Sequence, residues 1–283
     1  MHSQKYKILE FHTPRLLDFQ NSVPLHFCTH DFTNTWKSGS INIYTFVSLE
    51  FQNSNLVKKM IISCISYKGG VGKTTLCQNL AVAFAHAKRK VCIIDCDESF
   101  NSADWGKERK EKSPQLPVIE VIGEKDEDEF PHLVEKLTKE YEVIIIDSPP
   151  TQSSISRMAI LMSNLVLVPL LPKGAQETNT IAQLMRKVKG LEVTQGRAIP
   201  VYFFLNTYNK RIVHMRNFRE SMEKAFPGQV LQTTFSELKA YYRAPYFGMG
   251  VTEYLSKEDS AENAAQEVKS LVNELVGIIS KLK

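Results

Sequence analysis

From Met60 onward the chain alternates between two hydrophobic patterns. Short apolar, β-branched runs at 61–66, 91–95, 118–122, 143–147, 165–169 and 199–205 are bounded by glycine, proline or aspartate. Such unbroken runs suit strands buried on both faces, because neither face needs polar side chains. The stretches between them predict helices over roughly 73–88, 101–112, 126–140, 152–163, 175–189 and 211–226, with a closing helix from about 260 to 282. Strand-then-helix order predicts an α/β, doubly wound, mostly parallel sheet with helices on both faces. No repeat or low-complexity linker interrupts residues 60–283, which are expected to form a single domain.

Residues 1–59 break this rhythm. They hold four of the seven histidines (His2, His12, His26 and His30), scattered phenylalanines and a single glycine, Gly39, with no sustained period. Their richness in Phe, Asn, Ser, Ile, Lys and Leu resembles a translated AT-rich upstream region. Two readings stand: an appended, poorly ordered extension ahead of a natural start at Met60, or a small arm that binds a partner or DNA. Intact-mass measurement of the native protein separates them.

Composition excludes several classes. At 283 residues, 43% hydrophobic and 23% charged, the chain can bury a full core and is neither disordered nor fibrous. A net charge of +4 is the ordinary state of many soluble proteins and argues for no particular partner. The five cysteines (Cys28, Cys64, Cys77, Cys92 and Cys96) contain no CxxC pair and read as small buried hydrophobes in a reducing compartment. No apolar run approaches the roughly 20 residues of a membrane span, and no secretory leader is recognisable, so a cytoplasmic protein is expected.

The chemistry begins where the first run ends, in Lys68-Gly69-Gly70-Val71-Gly72-Lys73-Thr74-Thr75. Strand, glycine-rich loop and helix in that order form a phosphate cradle. Glycines without Cβ atoms let backbone N–H groups turn inward, and the helix N-terminus adds its positive dipole end. Lys73 supplies a charge toward the outer phosphates, Thr74 a hydroxyl for magnesium, and Thr75 a contact to the inner phosphate. The ordinary expression wants glycine where Tyr67 stands; what is present instead is a second lysine, Lys68.

Two other runs end in acids. Asp147 closes Val143-Ile144-Ile145-Ile146, where ligands of open α/β sheets bind, and can hold a magnesium-bound water. Asp95 and Asp97 follow Val91-Cys92-Ile93-Ile94; Asp97 can face the γ-phosphate and orient the attacking water, while Asp95 is equally read as structural.

Together these motifs, with Ile146-Asp147-Ser148-Pro149-Pro150, resemble the ParA/MinD family of deviant Walker ATPases across essentially all of 60–283. The closest resemblance is to the compact partition ATPases, whose C-terminal segment looks like Tyr242 through Tyr254. The resemblance implies an ATP- and magnesium-dependent sandwich homodimer, in which Lys68 reaches the partner subunit's nucleotide. It implies slow hydrolysis, stimulated by DNA and by an activator or centromere-binding protein of ParB type. It further implies nonspecific DNA binding, association with the nucleoid when ATP-bound, and movement of a cargo such as a plasmid. By position it assigns phosphate to Lys73, magnesium to Thr74, the attacking water to Asp97, metal support to Asp147 and the adenine to Asn206. Two departures are visible: Asp97-Glu98-Ser99 stands where the family often has Asp-Pro-Gln, and Asn164 where an aspartate is usual.

Other classes remain in view. The cations Lys210, Arg211, Arg216, Arg219, Lys224, Lys239 and Arg243 suit a DNA backbone, or simply a solvated helix face. The last helix, ending Val276-Gly277-Ile278-Ile279-Ser280-Lys281-Leu282-Lys283, reads as a core-facing stripe or as a MinD-like lipid anchor, the membrane being the less expected partner. A biosynthetic, ATP-dependent enzyme on the same scaffold is the third class. It would need a substrate pocket and a nucleophile, and no Cys/His arrangement stands out.

Overall fold

A computed structural model describes residues 59–150, 152–172, 175–256 and 259–282, with backbone alone at 175 and 176. The expectation for residues 1–59 therefore falls, apart from Lys59, outside the described residues. The strands are β1 (Met60–Cys64), β2 (Val91–Asp95), β3 (Glu120–Gly123), β4 (Val143–Asp147), β5 (Leu165–Leu170), β6 (Val201–Leu205) and β7 (Val230–Thr234). All pair in parallel, in the spatial order β3-β2-β4-β1-β5-β6-β7. The helices are α1 (Lys73–His86), α2 (Asn101–Lys112), α3 (Glu129–Glu140), α4 (Ser154–Met162), α5 (Ala175–Gln195), α6 (Val213–Ala225), the short α7 (Ala240–Arg243) leading into a 3-10 turn (Ala244–Phe247), and α8 (Ala261–Ile279).

Alternation along the strands splits the core into two layers, because successive side chains leave a strand on opposite faces. Ile62 and Cys64 of β1, with Ile93 and Ile145, pack against α1, α2 and α8. Ile61, Ile94, Ile144 and Ile146 pack against α3, α4, α5 and α6 on the other face. Both faces of the central strands are thus dry, which is why their sequences read as continuous apolar runs.

Helix α8 turns most of the terminal stripe inward, with Leu282 beyond its end 38% exposed. Val268, Leu271, Val272, Leu275, Val276 and Ile279 are all buried in the first of these layers. Each buried leucine there is worth roughly 2 kcal/mol of transfer free energy. The stripe is core surface and is already used. No described helix is long and apolar enough to cross a membrane.

Three differences from the sequence-based expectation have physical causes. β3 begins at Glu120, two residues late, and leaves Val118 79% exposed. Helix α5 continues through Gly190 to Gln195, since packing on the sheet outweighs the roughly 1 kcal/mol that a helical glycine costs. β7 was not anticipated. It is the sheet edge, only half buried, and the Gln232 and Thr233 amides donate to the Glu274 carboxylate of α8 at 2.6 and 2.8 Å. That cap blunts an otherwise open edge.

Asn164, one of the two departures noted above, accepts a 2.7 Å hydrogen bond from the Ile61 amide. It therefore serves the start of β1, at the opposite end from the glycine loop.

Candidate functional site

β1 lies between β4 and β5, so the chain leaves its carboxyl end where connections diverge to either side. That crevice is where open α/β sheets bind ligands. The backbone turns through residues 65–72 and enters α1 from Gly72, whose φ of +94° lies in the left-handed region. Gly70 is left-handed too, at +71°. A side chain at 72 would be excluded twice over: its Cβ would also lie 2.1 Å from Asn206 Nδ2. No side chain caps the first turn of α1, and no acid stands in it. Its amides are left pointing at the crevice with the positive end of the helix dipole, which favours an anion.

A cleft of about 470 Å³ opens over this turn, within the range of nucleotide-sized sites. Gly69, Gly70, Gly72, Lys73, Thr74 and Thr75 line it from the loop. Asp97, Ser99 and Asn101 reach it from the segment between β2 and α2. Asn206, Thr207 and Tyr242 reach it from the segments after β6 and β7. Sequence-distant positions singled out above thus meet at one opening. Val71 faces inward, 1% exposed, and offers its carbonyl to Asn206 Nδ2 at 2.8 Å. The Asn206 Oδ1 accepts the Thr207 amide at 3.0 Å, so this side chain ties the β6 end to the glycine loop.

Beneath the cleft the strand register sets Asp95 directly beside Asp147. Both are fully buried. Burial, reinforced by the Asp95 charge, pushes the Asp147 carboxyl up to about 6, against the pull of the Thr74 and Ser102 hydroxyls and the Lys73 ammonium. Burial likewise raises Asp95, opposed by amides of the following turn. Asp95 accepts from the Asp97 and Ala103 amides at 3.1 and 2.9 Å, so it fastens both ends of the segment that carries Asp97. That is the structural reading of Asp95.

Asp147 Oδ2 accepts from Ser102 Oγ at 2.8 Å, whereas Oδ1 is buried and has no hydrogen-bond partner among the described residues. A buried carboxylate oxygen left open beside the Thr74 hydroxyl fits a small, hard, oxygen-seeking cation. Among the described residues no cluster of three His, Cys, Asp or Glu forms a metal cage. Magnesium needs none, since it is held by one or two protein oxygens together with phosphates and water.

Lys68 is the exception to the convergence. Its ammonium lies on Glu177 Oε2 at 2.8 Å, and Glu177 Oε1 accepts the Leu171 amide at 3.0 Å. Glu177 is 3% exposed; the Lys68 side chain is 39% exposed. Sequence reasoning missed Glu177, because an acid in the first turn of a helix is commonplace. It missed Ser102 because nothing local links a helical serine to Asp147, 45 residues away. Cys64, Cys77, Cys92 and Cys96 are free and buried as packing groups, and burial holds the Cys92 thiol up at about 12.

Residues 62–251 match the family described as the CobQ/CobB/MinD/ParA nucleotide binding domain. The chain belongs to that family. Members of the ParA/MinD family are P-loop ATPases. The chain is 24% identical over 217 residues to the maintenance of carboxysome distribution protein A of Gloeobacter kilaueensis, covering 76% of this chain and 93% of that one. It is 25% identical over 244 residues to the chromosome partitioning protein ParA of Myxococcus xanthus, covering 71% and 84%. The fold superposes on the ATP complex of a Cyanothece McdA variant with a TM-score of 0.62 at 15% identity, covering 77% and 97%.

Proposed function

We propose that this ParA/MinD-family chain is a partition-type ATPase, in which ATP and magnesium join two copies, the pair binds DNA without sequence preference, and hydrolysis releases it. The observation that carries the reading is the split between two lysines. Lys73 is buried in the loop at the cleft, while Lys68 lies beside the cleft on Glu177 with part of its length in solvent. A cation in that position would reach a second nucleotide across a two-fold axis by exchanging Glu177 for a phosphate.

In this reading the loop amides and Lys73 hold the phosphates, with Thr75 on the inner phosphate. Thr74 and Asp147 hold the magnesium, which when bound neutralises charge between the outer phosphates. Asn206 borders the adenine. Asp97 orients water: the water oxygen bonds to the γ-phosphorus as the bond to the ADP oxygen breaks. The water's proton passes to Asp97 and on to the released phosphate.

Surface charge supports DNA as a partner. Lys210, Arg211, Arg216, Lys224, Lys239 and Arg243 are exposed, whereas Arg219 is engaged by Glu223 and by backbone and side-chain oxygens of the β7 edge. Each phosphate neutralised steepens the log–log salt slope by about 0.9. An activator of ParB type and a carried cargo complete the proposal, in line with the partitioning and distribution functions that the relatives' names state. A MinD-like lipid anchor at α8 loses its support, because its apolar stripe is already packed in the core.

Filter binding of plasmid DNA in ATP, ADP or no nucleotide, at two salt concentrations, tests the reading. Retention that needs ATP and collapses with salt is expected; nucleotide-independent retention overturns it. Lys68→Ala is expected to keep ATP affinity within about twofold while losing dimer-dependent hydrolysis, whereas uniform-binding contacts would change affinity alone.

A further inference from the structure

The segment between β2 and α2 carries more order than an exposed loop needs. Ser99 donates twice to the same oxygen of Asp97: its hydroxyl reaches Oδ1 at 2.8 Å and its amide reaches Oδ1 at 3.0 Å. Asn101 Nδ2 in turn donates to Ser99 Oγ at 2.8 Å. The direction of this chain is fixed by chemistry. An ionised carboxylate only accepts, so the serine proton goes to Asp97, and the serine oxygen is then free to accept from the asparagine amide. Asn101, Ser99 and Asp97 all line the cleft. Among the described residues Asp97 Oδ2 has no hydrogen bond, so Oδ1 is held twice and its sibling is open.

The surroundings keep that arrangement in place. Asp95 holds the segment from beneath through the Asp97 and Ala103 amides. Between these anchors Phe100 takes a φ of +49°, a left-handed conformation that costs an aromatic residue roughly 1–2 kcal/mol. Its ring packs where Gly123 leaves room, and Lys125 places its ammonium 3.9 Å from the ring centroid while donating to the Glu98 carbonyl at 3.3 Å. Strain of this kind persists where the surroundings over-determine a conformation, and here it falls three residues from Asp97.

We infer that Ser99 and Asn101 are positioning residues for hydrolysis: Asn101 orients the Ser99 hydroxyl, Ser99 clamps Asp97 Oδ1, and Asp97 Oδ2 is thereby aimed at the attacking water. The inference rests on the proposed role of Asp97 and assigns work to the serine that departs from the family's usual sequence. Neither residue touches the reacting atoms, and their effect is transmitted through Asp97 alone. Without the serine hydroxyl Oδ1 keeps only the Ser99 amide, and a carboxylate held once rotates more freely about its side-chain bonds. A base that must meet its proton within hydrogen-bond reach loses rate under such rotation, without losing affinity for the nucleotide.

Single-turnover hydrolysis of γ-labelled ATP with magnesium, beside ATP affinity from a fluorescent analogue, reads both quantities on the full chain. Ser99→Ala is expected to slow hydrolysis about tenfold with affinity within about twofold, a modest share of what general-base catalysis supplies. Ser99→Thr, which keeps the hydroxyl, is expected within about threefold of the parent protein. Adding Asn101→Ala to Ser99→Ala should cost nothing further, because the asparagine acts through the serine. Asp97→Asn provides the reference and is expected to lose at least about 100-fold. Parental hydrolysis by Ser99→Ala alongside an inactive Asp97→Asn overturns the positioning role and leaves the proposed function standing. Parental hydrolysis by Asp97→Asn removes the water-orienting role itself and the positioning role with it.

Discussion

The buried polar groups around Glu253 and those around Asp147 differ in whether their bonding is complete. Around Glu253, whose side chain is 1% exposed, every direction is filled. Arg109 NH1 and NH2 donate to its two oxygens at 2.8 Å each, His86 Nε2 lies 2.6 Å away, and the Gly250 amide donates at 3.0 Å. Arg109 spends its other donors on the Gly248 and Pro117 carbonyls. Beneath the glycine loop the opposite holds: Asp147 keeps one oxygen unpartnered, its neighbour Asp95 repels it, and an uncapped helix start faces the cleft. A saturated buried network is architecture. A buried carboxylate with an open oxygen invites something from outside.

The sharpest way to break the comparison is at the saturated cluster. Glu253→Ala leaves the Arg109 guanidinium buried without its partner and is expected to cost about 3–5 kcal/mol, read as a loss in Tm or in denaturant midpoint. Burial alone would raise the Glu253 carboxyl, but the hydrogen bonds from Arg109 and His86 outweigh it and lower it below its ordinary value. A depressed carboxyl stabilises the fold above the unfolded-state value and loses that contribution as pH falls through the folded one. Stability of the parent protein is therefore expected to drop below about pH 4.5, and Glu253→Gln to flatten that drop. An unchanged acid midpoint in Glu253→Gln would count against the network.

At the open cluster the effect should fall on ligand and leave the fold alone. Lys73→Ala is expected to weaken ATP binding about 100-fold, roughly 2.7 kcal/mol, with a Tm near that of the parent protein. A calorimetric titration with unchanged affinity would remove Lys73 from the phosphate site. The smallest effect is expected at Asn164→Asp. The acceptor for the Ile61 amide survives that change, so stability should move by less than about 0.5 kcal/mol and ATP affinity not at all. A large change there would show that the departure at 164 reaches the cleft.

What could be read in the sequence follows the same division. The strands of the sheet centre were legible because both their faces are dry, so Val143–Ile146 and its relatives carry an unmistakable apolar signal. β7 was not, because an edge strand carrying Gln232, Thr233 and Thr234 lacks a continuous apolar signal, and its backbone amides at 232 and 233 are met by the distant Glu274 carboxylate. The glycine loop and the acids at strand ends could be placed because β1, β2 and β4 deliver them to the same edge of the sheet. The Arg109–Glu253 pair spans 144 residues and the Lys68–Glu177 pair 109, and no local pattern announces either. Asn206 shows the limit within the site itself: the resemblance assigned it to a base, while the geometry adds a bond to the Val71 carbonyl that fastens the glycine loop.

Helix α2 is gripped near both ends by the two clusters just compared. Ser102 in its first turn is bonded to Asp147, and Arg109 in its last turn is bonded to Glu253. Twelve residues of helix make a rod about 18 Å long, too stiff to absorb a shift at one end by bending. Were a cation to settle on Asp147, its displacement would register as leverage at the far tip, where Lys112 Nζ and Ser113 Oγ donate to the carbonyls of Tyr246 and Phe247, whose rings are exposed.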